Sequence, residues 1–432
     1  MSDLPERVSA RNIFLLATDS VAFGVCMAFL GPTTLLPSLI RLLGGSPVVV
    51  GALGTIQSGG WLLPQLLAGR WVANRPLVKK YVVVPWYASR ASLFLILPAL
   101  LGLSGRVPHL AIAALLLGFA GFMVGDALSA VGWFDLMAKS VPLRQRGRFT
   151  GAVQSVGSLL GVGAGVVVKA ILGRPGSSLD NHILLILLAA VVALLGNSAL
   201  VLIREPRGSV QSEARLGWQE YLPRLVAIVR GDTRFAWLIA TQWLAAMADM
   251  AGAFYILYAI GQLQIPEQTI GLFVSAGVLG GLLGGLVLGT LGDRKGSARV
   301  IAAIMALRLS CPALALLAPS VAARQPRWGP VPFFVLFALA GMASGAFMVG
   351  FMNYVLEIAP PEERSLYVAL TNTLGGLALV APLIAGWLVQ VASYEALFMV
   401  TLGVAALGLA LALGGPGLLV ATMRRWRLPA GE

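Results

Sequence analysis

Five charged side chains lie inside long apolar stretches of the chain, where an unpaired charge is costly. They are Asp19, Arg90, Asp126, Asp249 and Arg308. Burial penalises the charged form of a carboxyl group, whereas a neighbouring guanidinium group favours it. A carboxyl group under these opposing influences can bind a proton in one conformation and release it in another. The five residues therefore predict a site for a solute or a proton.

The apolar stretches around these charges are long enough to cross a membrane. Of the 432 residues, 58% are hydrophobic and 11% are charged, whereas about 25% are charged in a typical soluble domain. A membrane-spanning helix needs roughly 20 apolar residues. The sequence predicts an all-α integral membrane protein with twelve transmembrane helices, here called spans one to twelve. Their approximate limits are 13–37, 48–70, 81–103, 110–136, 150–171, 183–203, 235–260, 270–292, 300–319, 331–356, 366–389 and 396–420.

The positive charges of the chain are distributed unevenly between the two predicted sides of the membrane. The net charge is +13, and most of the 31 Lys and Arg residues fall on the side that holds both termini. This bias marks the cytoplasmic side and predicts a multi-pass protein of the cytoplasmic membrane with both termini in the cytoplasm. The basic balance therefore indicates topology and contact with lipid headgroups, and it argues against a nucleic-acid partner.

The two halves of the chain resemble each other when one is shifted along the other. The shift that superimposes Arg90 on Arg308 also places Gly132 on Gly350, Pro142 on Pro360 and Arg146 on Arg364. An even number of spans in each repeat makes the two repeats parallel. We therefore predict six-helix bundles at 1–203 and 235–432, joined by a cytoplasmic linker at 204–234.

The linker carries apolar residues at helical spacing. This spacing predicts an amphipathic helix on the inner leaflet. An irregular linker is the alternative, because Pro223 falls inside the pattern. The apolar residues concerned are Trp218, Tyr221, Leu222, Leu225 and Val229.

The loop after span eight carries a short motif of charge and glycine. It reads G-x-x-x-D-R-x-G and comprises Gly289, Asp293, Arg294 and Gly296. This motif resembles the loop signature of the major facilitator superfamily. Twelve spans in two repeats with a central loop also resemble that superfamily, so the resemblance covers the whole chain. It implies the twelve-helix fold of that superfamily and transport by alternating access. The equivalent loop of the first half departs from the pattern, because Asn74 stands at the Asp position.

The resemblance also gives the loop a role. In the superfamily it latches the cytoplasmic side of the carrier, and Gly289 and Gly296 would permit a tight turn there. By position, we expect Asp293 to pair with Arg364, with Glu357 close by. The alternative is a polar turn that makes no latch.

Glycines spaced four apart form a smooth face on two spans. Span five carries Gly157, Gly161 and Gly165. Span eight carries Gly277, Gly281 and Gly285, and Gly289 of the loop motif continues the same spacing. Small residues on one face let helices approach closely in lipid. The resemblance implies that spans five and eight pack across the two halves, so the stripes predict a surface for rocking. Generic close packing is the alternative.

The superfamily lines its central cavity with spans one, four, seven and ten. This places Asp19, Asp126 and Asp249 on cavity helices, where Gln242 and Asn353 join them as polar candidates. Asp126 is the first choice for the group that carries a proton, with Arg90 or Asp19 as modulators. The alternative is a permanent ion pair that only holds neighbouring helices together, and it is favoured for the two repeat-equivalent Arg residues, Arg90 and Arg308.

Several classes of function compete for such a chain. We predict a secondary transporter, most simply a proton-coupled exporter of a small hydrophobic or amphipathic solute that works as a monomer without a cofactor. Proton-coupled uptake, facilitated diffusion of a small metabolite and lipid flipping are the alternatives. The sequence holds no phosphate-binding loop, nucleophile elbow or metal-ligand spacing, which argues against an enzyme or an ATP-driven pump.

Overall fold

The computed structural model describes residues 6–72, 75–206, 228, 231–360 and 363–426. Within these ranges the chain forms helices and no β-strand, as expected where lipid offers backbone groups no water to bind. Eleven helical segments there are long and apolar enough to cross a membrane. The remaining predicted span, span two, is the 26-residue helix Pro47–Val72. The predicted all-α membrane fold is confirmed.

The first six spans are long helices with few interruptions. In the described part of these spans, short 3-10 segments lie at the ends, before span five at Leu143–Gln145 and after span six at Ser198–Leu202. The helices are Glu6–Leu30, Pro47–Val72, Lys79–Leu103, Pro108–Ser140, Arg146–Leu172 and Ser178–Asn197.

Four of the last six spans are broken by 3-10 or π segments, and such irregular turns frequently mark functional sites. Span nine is Ser297–Arg324, and span twelve is Tyr394–Trp426 with a kink at Gly415, where φ is +64°. Span seven is Thr233–Ala248 and Gly252–Gly261 around Asp249–Ala251, and span eight is Glu267–Thr269, Ile270–Leu283, Gly284–Leu288 and Gly289–Lys295. Span ten is Val331–Gly345, Met348–Met352 and Asn353–Ile358, preceded by the 3-10 turn Pro326–Trp328, and span eleven is Arg364–Gly375, Gly376–Val380 and Ala381–Val391.

The helix of span one ends earlier than predicted. The sequence predicts a helix to residue 37, whereas the helix ends at Leu30 and a separate short helix follows at Leu35–Leu42. Gly31 has φ +48°, and it precedes Pro32. A residue before proline avoids the helical region and glycine tolerates positive φ, so this dipeptide ends the helix inside an apolar run.

The chain divides into two compact units. The first unit comprises 1–212, 252–278 and 382–391, and the second comprises 213–251, 279–381 and 392–432. The predicted bundles at 1–203 and 235–432 stay a prediction, because these units follow packing rather than the internal repeat. The amphipathic linker helix, with its five apolar residues from Trp218 to Val229, lies outside the described residues.

Each unit has its own apolar core. In the first unit Leu16, Val82 and Leu136 are fully buried in one cluster. In the second unit the cluster includes Trp237 and Phe351, and the Trp237 indole N–H donates to the Leu411 carbonyl oxygen at 2.9 Å. These cores hold the helices that carry the charged residues.

Candidate functional site

Arg90 of span three and Asp126 of span four form an ion pair inside the first unit. Their side chains are only 1% and 6% exposed. Arg90 Nη1 also donates to Ser89 Oγ at 2.7 Å, and Ser89 Oγ donates to the Phe122 carbonyl oxygen at 2.8 Å. The pair therefore ties spans three and four together as well as placing charge in the interior.

Two aromatic rings hold the guanidinium group of Arg90. Its Cζ lies 4.1 Å from the Trp86 ring centroid and 5.1 Å from the Phe122 centroid. A guanidinium group over an aromatic face is attracted by the ring quadrupole, and more strongly when both are desolvated. A planar cation is thus held where a hydrated ammonium group would fit less well.

Asn197 of span six connects this ion pair to Asp19 of span one. Arg90 Nη2 donates to Asn197 Oδ1 at 3.3 Å, and Asn197 Nδ2 donates to the Asp19 carboxylate. Asp19 is 5% exposed, and the Trp133 indole lies beside it. Among the described residues, no Lys, Arg or His nitrogen lies within ion-pair distance of the Asp19 carboxylate.

A cavity of about 200 Å³ opens onto this network. Its wall carries Asp19, Arg90 and Asp126 as the charged residues, and half of its other residues are aromatic. The remaining lining residues are Ser20, Phe23, Trp61, Val82, Trp86, Ser129, Ala130, Trp133, Phe134 and Asn197. The sequence prediction included the three charged residues but missed Asn197, because an uncharged amide near the end of an apolar span is not conspicuous.

Arg308 of span nine and Asp249 of span seven form a second ion pair, in the second unit. The Arg308 side chain is 7% exposed, whereas that of Asp249 is 50% exposed. Nε and Nη1 of Arg308 are buried and have no hydrogen-bond acceptor in the described part of the chain. Asp249 begins the 3-10 turn that interrupts span seven. No proline lies in this turn to indicate the break in the sequence.

The two other polar candidates of the second unit lie apart from this ion pair. Gln242 is half-buried, its Oε1 has no hydrogen-bond donor within the described ranges, and its amide lies under Gly375. Asn353 is exposed and follows the π segment of span ten. No hydrogen bond joins either residue to Asp249 among the residues that the structure describes.

The predicted latch residues are exposed in this structure. Asp293, Arg294 and Arg364 all face outward, and no ion pair joins Asp293 to Arg364 in the described chain. Glu357 accepts a hydrogen bond from Ser297 Oγ at 2.5 Å instead. The latch remains a prediction.

The turn of the motif is shorter than expected. Gly289 is helical, within Gly289–Lys295, rather than part of the turn. Gly296 alone breaks the chain, with φ +83°, and the next helix begins at Ser297. The expectation of a turn between two glycines is therefore wrong for Gly289, because the helix continues through the charged residues of the motif to Lys295.

The first unit has a different charged cluster at the corresponding loop. Glu205 accepts backbone N–H bonds from Val78 at 2.6 Å and Lys79 at 2.9 Å. Its carboxylate also lies 3.2 Å from Lys139 Nζ, which pairs with Asp135 at 2.7 Å. Sequence reasoning missed Glu205, whose only signal was a lone acid among basic loop residues.

The glycine stripes are packed against two different partners. In the first unit Gly165 lies against Gly271 and Ser275, and Gly161 lies against Val278. Ser275 Oγ donates to the Val162 carbonyl oxygen at 2.9 Å. Span five therefore meets the outer part of span eight, as far as Val278.

The later glycines of span eight face span ten in the second unit. Cβ atoms built at Gly281 and Gly285 would lie 3.6 Å and 3.8 Å from the carbonyl oxygens of Gly341 and Gly345. Gly277 is half-buried, and a Cβ on Gly157 would meet nothing within 4 Å. The predicted stripe-on-stripe register across the halves thus has no contact at Gly157, and its role stays a prediction.

A polar cluster lies at the predicted outer end of the first unit. Glu267 accepts hydrogen bonds from Ser38 Oγ at 2.8 Å and Ser178 Oγ at 2.5 Å. His182 Nε2 lies 3.6 Å from the same carboxylate. One side chain thus joins the short helix after span one to the starts of spans six and eight, which sequence spacing did not indicate.

The C-terminal half of the chain matches a known family. The model of the Major Facilitator Superfamily matches residues 238–419. The chain is also 26% identical over 195 residues to the uncharacterized MFS-type transporter YfkF of Bacillus subtilis, covering 42% of this chain and 47% of that relative. It is 31% identical over 159 residues to the uncharacterized MFS-type transporter MT1926 of Mycobacterium tuberculosis, covering 34% of this chain and 20% of the relative. The chain thus aligns with less than half the length of each.

Solved structures share the fold over nearly the whole chain. The nucleoside transporter NupG, as its D323A mutant, has a TM-score of 0.69 at 14% identity and covers 94% of this chain and 99% of its own. A bacterial homologue of the iron transporter ferroportin in its inward-facing state has a TM-score of 0.66 at 17% identity and covers 95% of this chain and 99% of its own. The described chain thus has the fold of these transporters, and its residues 238–419 match the Major Facilitator Superfamily.

Proposed function

We propose that this protein is a secondary active transporter that moves a small solute across the cytoplasmic membrane by alternating access. The observation that carries the proposal is the cavity of about 200 Å³ with a buried polar network on its wall. Intramembrane charges beside a cavity are typical of solute and ion pathways. The named relatives are MFS-type transporters, and a small solute is the expected partner.

The proton-coupling group, in this proposal, is Asp19 rather than Asp126. Asp126 contacts Arg90, and a guanidinium partner favours the charged form of a carboxyl group throughout the cycle. Asp19 is equally buried, but its hydrogen-bond donor is the neutral amide of Asn197. A carboxyl group with a neutral partner can gain or lose a proton when its surroundings change, so Asp19 is better suited to couple a proton gradient to export.

The moving parts of the proposed cycle are a cytoplasmic latch and two glycine-rich helix faces. Asp293, Arg294, Glu357 and Arg364 would form the cytoplasmic latch in the state where that side is closed. Their exposure here, without an Asp293–Arg364 ion pair, fits a state in which the latch is open. The glycine faces of spans five and eight would provide the close, smooth contacts along which helices rock.

The proposal is tested with the full chain in liposomes that contain a pH-sensitive dye. A panel of lipophilic cations, neutral hydrophobic compounds, sugars and organic acids is added outside. We expect at least one solute to drive proton movement, Asp19→Asn to abolish it, and Asp180→Asn to retain it. Asp180 is a matched control because it is exposed at the start of span six in the same unit.

Two outcomes would overturn parts of the proposal. Proton movement that survives in Asp19→Asn would place the coupling group elsewhere, with Asp126 and Asp249 next in line. Solute flux without any proton movement would replace coupled export with facilitated diffusion. Absence of flux for every compound in the panel would contradict the transport function for those classes of solute.

A further inference from the structure

We propose that the cavity of the first unit binds a small monovalent organic cation, with Asp19 as its counter-ion. The inference rests on the proposed transport function and names its substrate class. It follows from three properties of the cavity wall: its charge balance, its aromatic faces and its size.

The charge balance leaves one carboxylate without an ionic partner. The wall carries two carboxyl groups and one guanidinium group, and its other residues are uncharged. Arg90 is engaged with Asp126, so that pair is neutral as a whole. When both carboxyl groups are ionised, Asp19 supplies one negative charge in excess. A counter-ion inside the cavity would interact with it strongly, because the surroundings have a low dielectric constant.

The same wall disfavours an anion. The Nη1 donors of Arg90 are directed to Asp126 and Ser89, and its Nη2 is directed to Asn197. Its Nε is buried without an acceptor in the described chain, so it has no exposed surface for a ligand. An anionic solute would meet the Asp19 carboxylate without a free guanidinium group to offset the repulsion.

Aromatic faces complete a site suited to a cation. Trp86 already packs against Arg90, which leaves Phe23, Trp61, Trp133 and Phe134 to line the remaining space. Aromatic faces attract organic cations and are used in proteins to enclose ammonium groups. An aromatic wall with one carboxylate therefore favours a positively charged, partly apolar solute over a sugar, which needs several polar partners.

The size of the cavity limits the solute. Its volume of about 200 Å³ is below the range of roughly 300–1,000 Å³ typical of sites for drug-sized ligands. One ring carrying one amino group fits this description. A dication does not, because only one carboxylate lacks an ionic partner.

Three ligands with the same aromatic ring separate the effect of ligand charge on binding from the effect of ligand shape. The purified full chain in detergent is titrated by calorimetry with benzylammonium, benzyl alcohol and benzoate, which differ in charge at one substituent. We expect benzylammonium to bind at least about tenfold more tightly than either of the others, the factor that one charge-assisted hydrogen bond supplies. Repeating the titration in buffers of different ionisation enthalpy measures whether the cation displaces a proton.

Variants assign the binding to Asp19. Asp19→Asn should weaken benzylammonium binding to the level of benzyl alcohol, whereas the exposed control Asp180→Asn should leave it unchanged. If Asp19→Asn does not fold, Trp61→Leu serves instead, and it should weaken cation binding about two- to tenfold with a smaller effect on benzyl alcohol. These variants keep the charge and the aromatic contributions separate.

Equal affinity for the three probes, tightest binding of benzoate, or full cation affinity in Asp19→Asn would each overturn the inference. If cation binding fails while another solute still moves protons in liposomes, the substrate class is wrong and the transport function stands. If benzylammonium binds through Asp19 but no solute is moved, the cation site stands and the transport proposal fails.

Discussion

The two units each contain an Arg–Asp ion pair, and the two pairs differ in enclosure. Arg90 and Asp126 are both buried. The Arg90 guanidinium group also contacts two aromatic rings and is linked through the Asn197 amide to a second carboxylate. Arg308 is buried, but Asp249 is half exposed and two donors of Arg308 lack acceptors among the described residues. The Arg residues are equivalent in the repeat, so the difference arises from the acids and the helices that carry them.

Helix continuity explains much of this difference. Spans three and four are unbroken along their whole length, and Asp126 lies well inside its helix. Asp249 instead starts a 3-10 turn that divides span seven. The comparison teaches that equivalent Arg residues can have different surroundings in the two repeats. Arg90 belongs to an enclosed ion pair, whereas Arg308 pairs with a half-exposed acid and keeps two donors without acceptors among the described residues.

The largest expected effect concerns the loss of one acid from each pair. Asp126→Asn should lower the free energy of unfolding by about 3–5 kcal/mol, because it leaves a buried guanidinium group without its counter-ion. Asp249→Asn should cost clearly less, since the Asp249 side chain is half exposed and its ion pair is less enclosed. Denaturant titration of the purified variants in mixed micelles measures both.

The double variant Arg90→Gln/Asp126→Asn is the control for this prediction. Removing both charges should recover part of the lost stability, because no unpaired ion remains buried. Equal losses for Asp126→Asn and Asp249→Asn would show that the two pairs are energetically alike, and the comparison would fail.

A smaller effect is expected from the amide that links the enclosed pair to Asp19. Asn197→Ala leaves a buried carboxylate without its hydrogen-bond donor, at a cost of about 1–3 kcal/mol. The matched variant is Asn181→Ala, near the amino-terminal end of the same span, where the amide makes one long, exposed contact among the described residues. We expect a lower unfolding midpoint for Asn197→Ala alone; unchanged midpoints for both would exclude a bridging role.

The smallest expected effect tests how open the second site is. A Cβ at Gly375 would lie 2.6 Å from Gln242 Nε2, whereas one at Gly376 would meet nothing within 4 Å. If Gln242 has room to swing aside, Gly375→Ala should cost less than about 1 kcal/mol, close to the cost of Gly376→Ala. A clearly larger loss for Gly375→Ala would mean that the surroundings of Gln242 are as tightly packed as those of Arg90.

Sequence reasoning predicts the spans well and the partners poorly. Twelve apolar runs indicate twelve helices because lipid permits little else, and charges such as Asp19 and Arg90 stand out for the same reason. Asn197 does not stand out, since an amide is tolerated at the end of a span. Helical periodicity tells which face a residue occupies but not which helix faces it, so neither the Asn197 bridge nor the Glu267 cluster is predictable.

Some helix breaks can also be predicted from the sequence, whereas others cannot. The end of span one at Gly31 follows from a local dipeptide, and a closer reading of the sequence predicts it. The breaks at Asp249 and in span ten contain no proline, and the glycines beside them, Gly252, Gly345 and Gly350, resemble the many glycines that lie inside unbroken helices of this chain. This is why the difference in enclosure between the two Arg sites emerges only in three dimensions.

The carboxylate of Glu205 has a consequence for biogenesis. It accepts the first N–H groups of span three, although it follows Val78 and Lys79 by 127 and 126 residues. At roughly 5–20 residues per second, a ribosome needs roughly 6–25 seconds to cover that distance. Glu205 therefore cannot cap span three until the ribosome has also synthesised span six, and until then the amino-terminal N–H groups of span three need other partners.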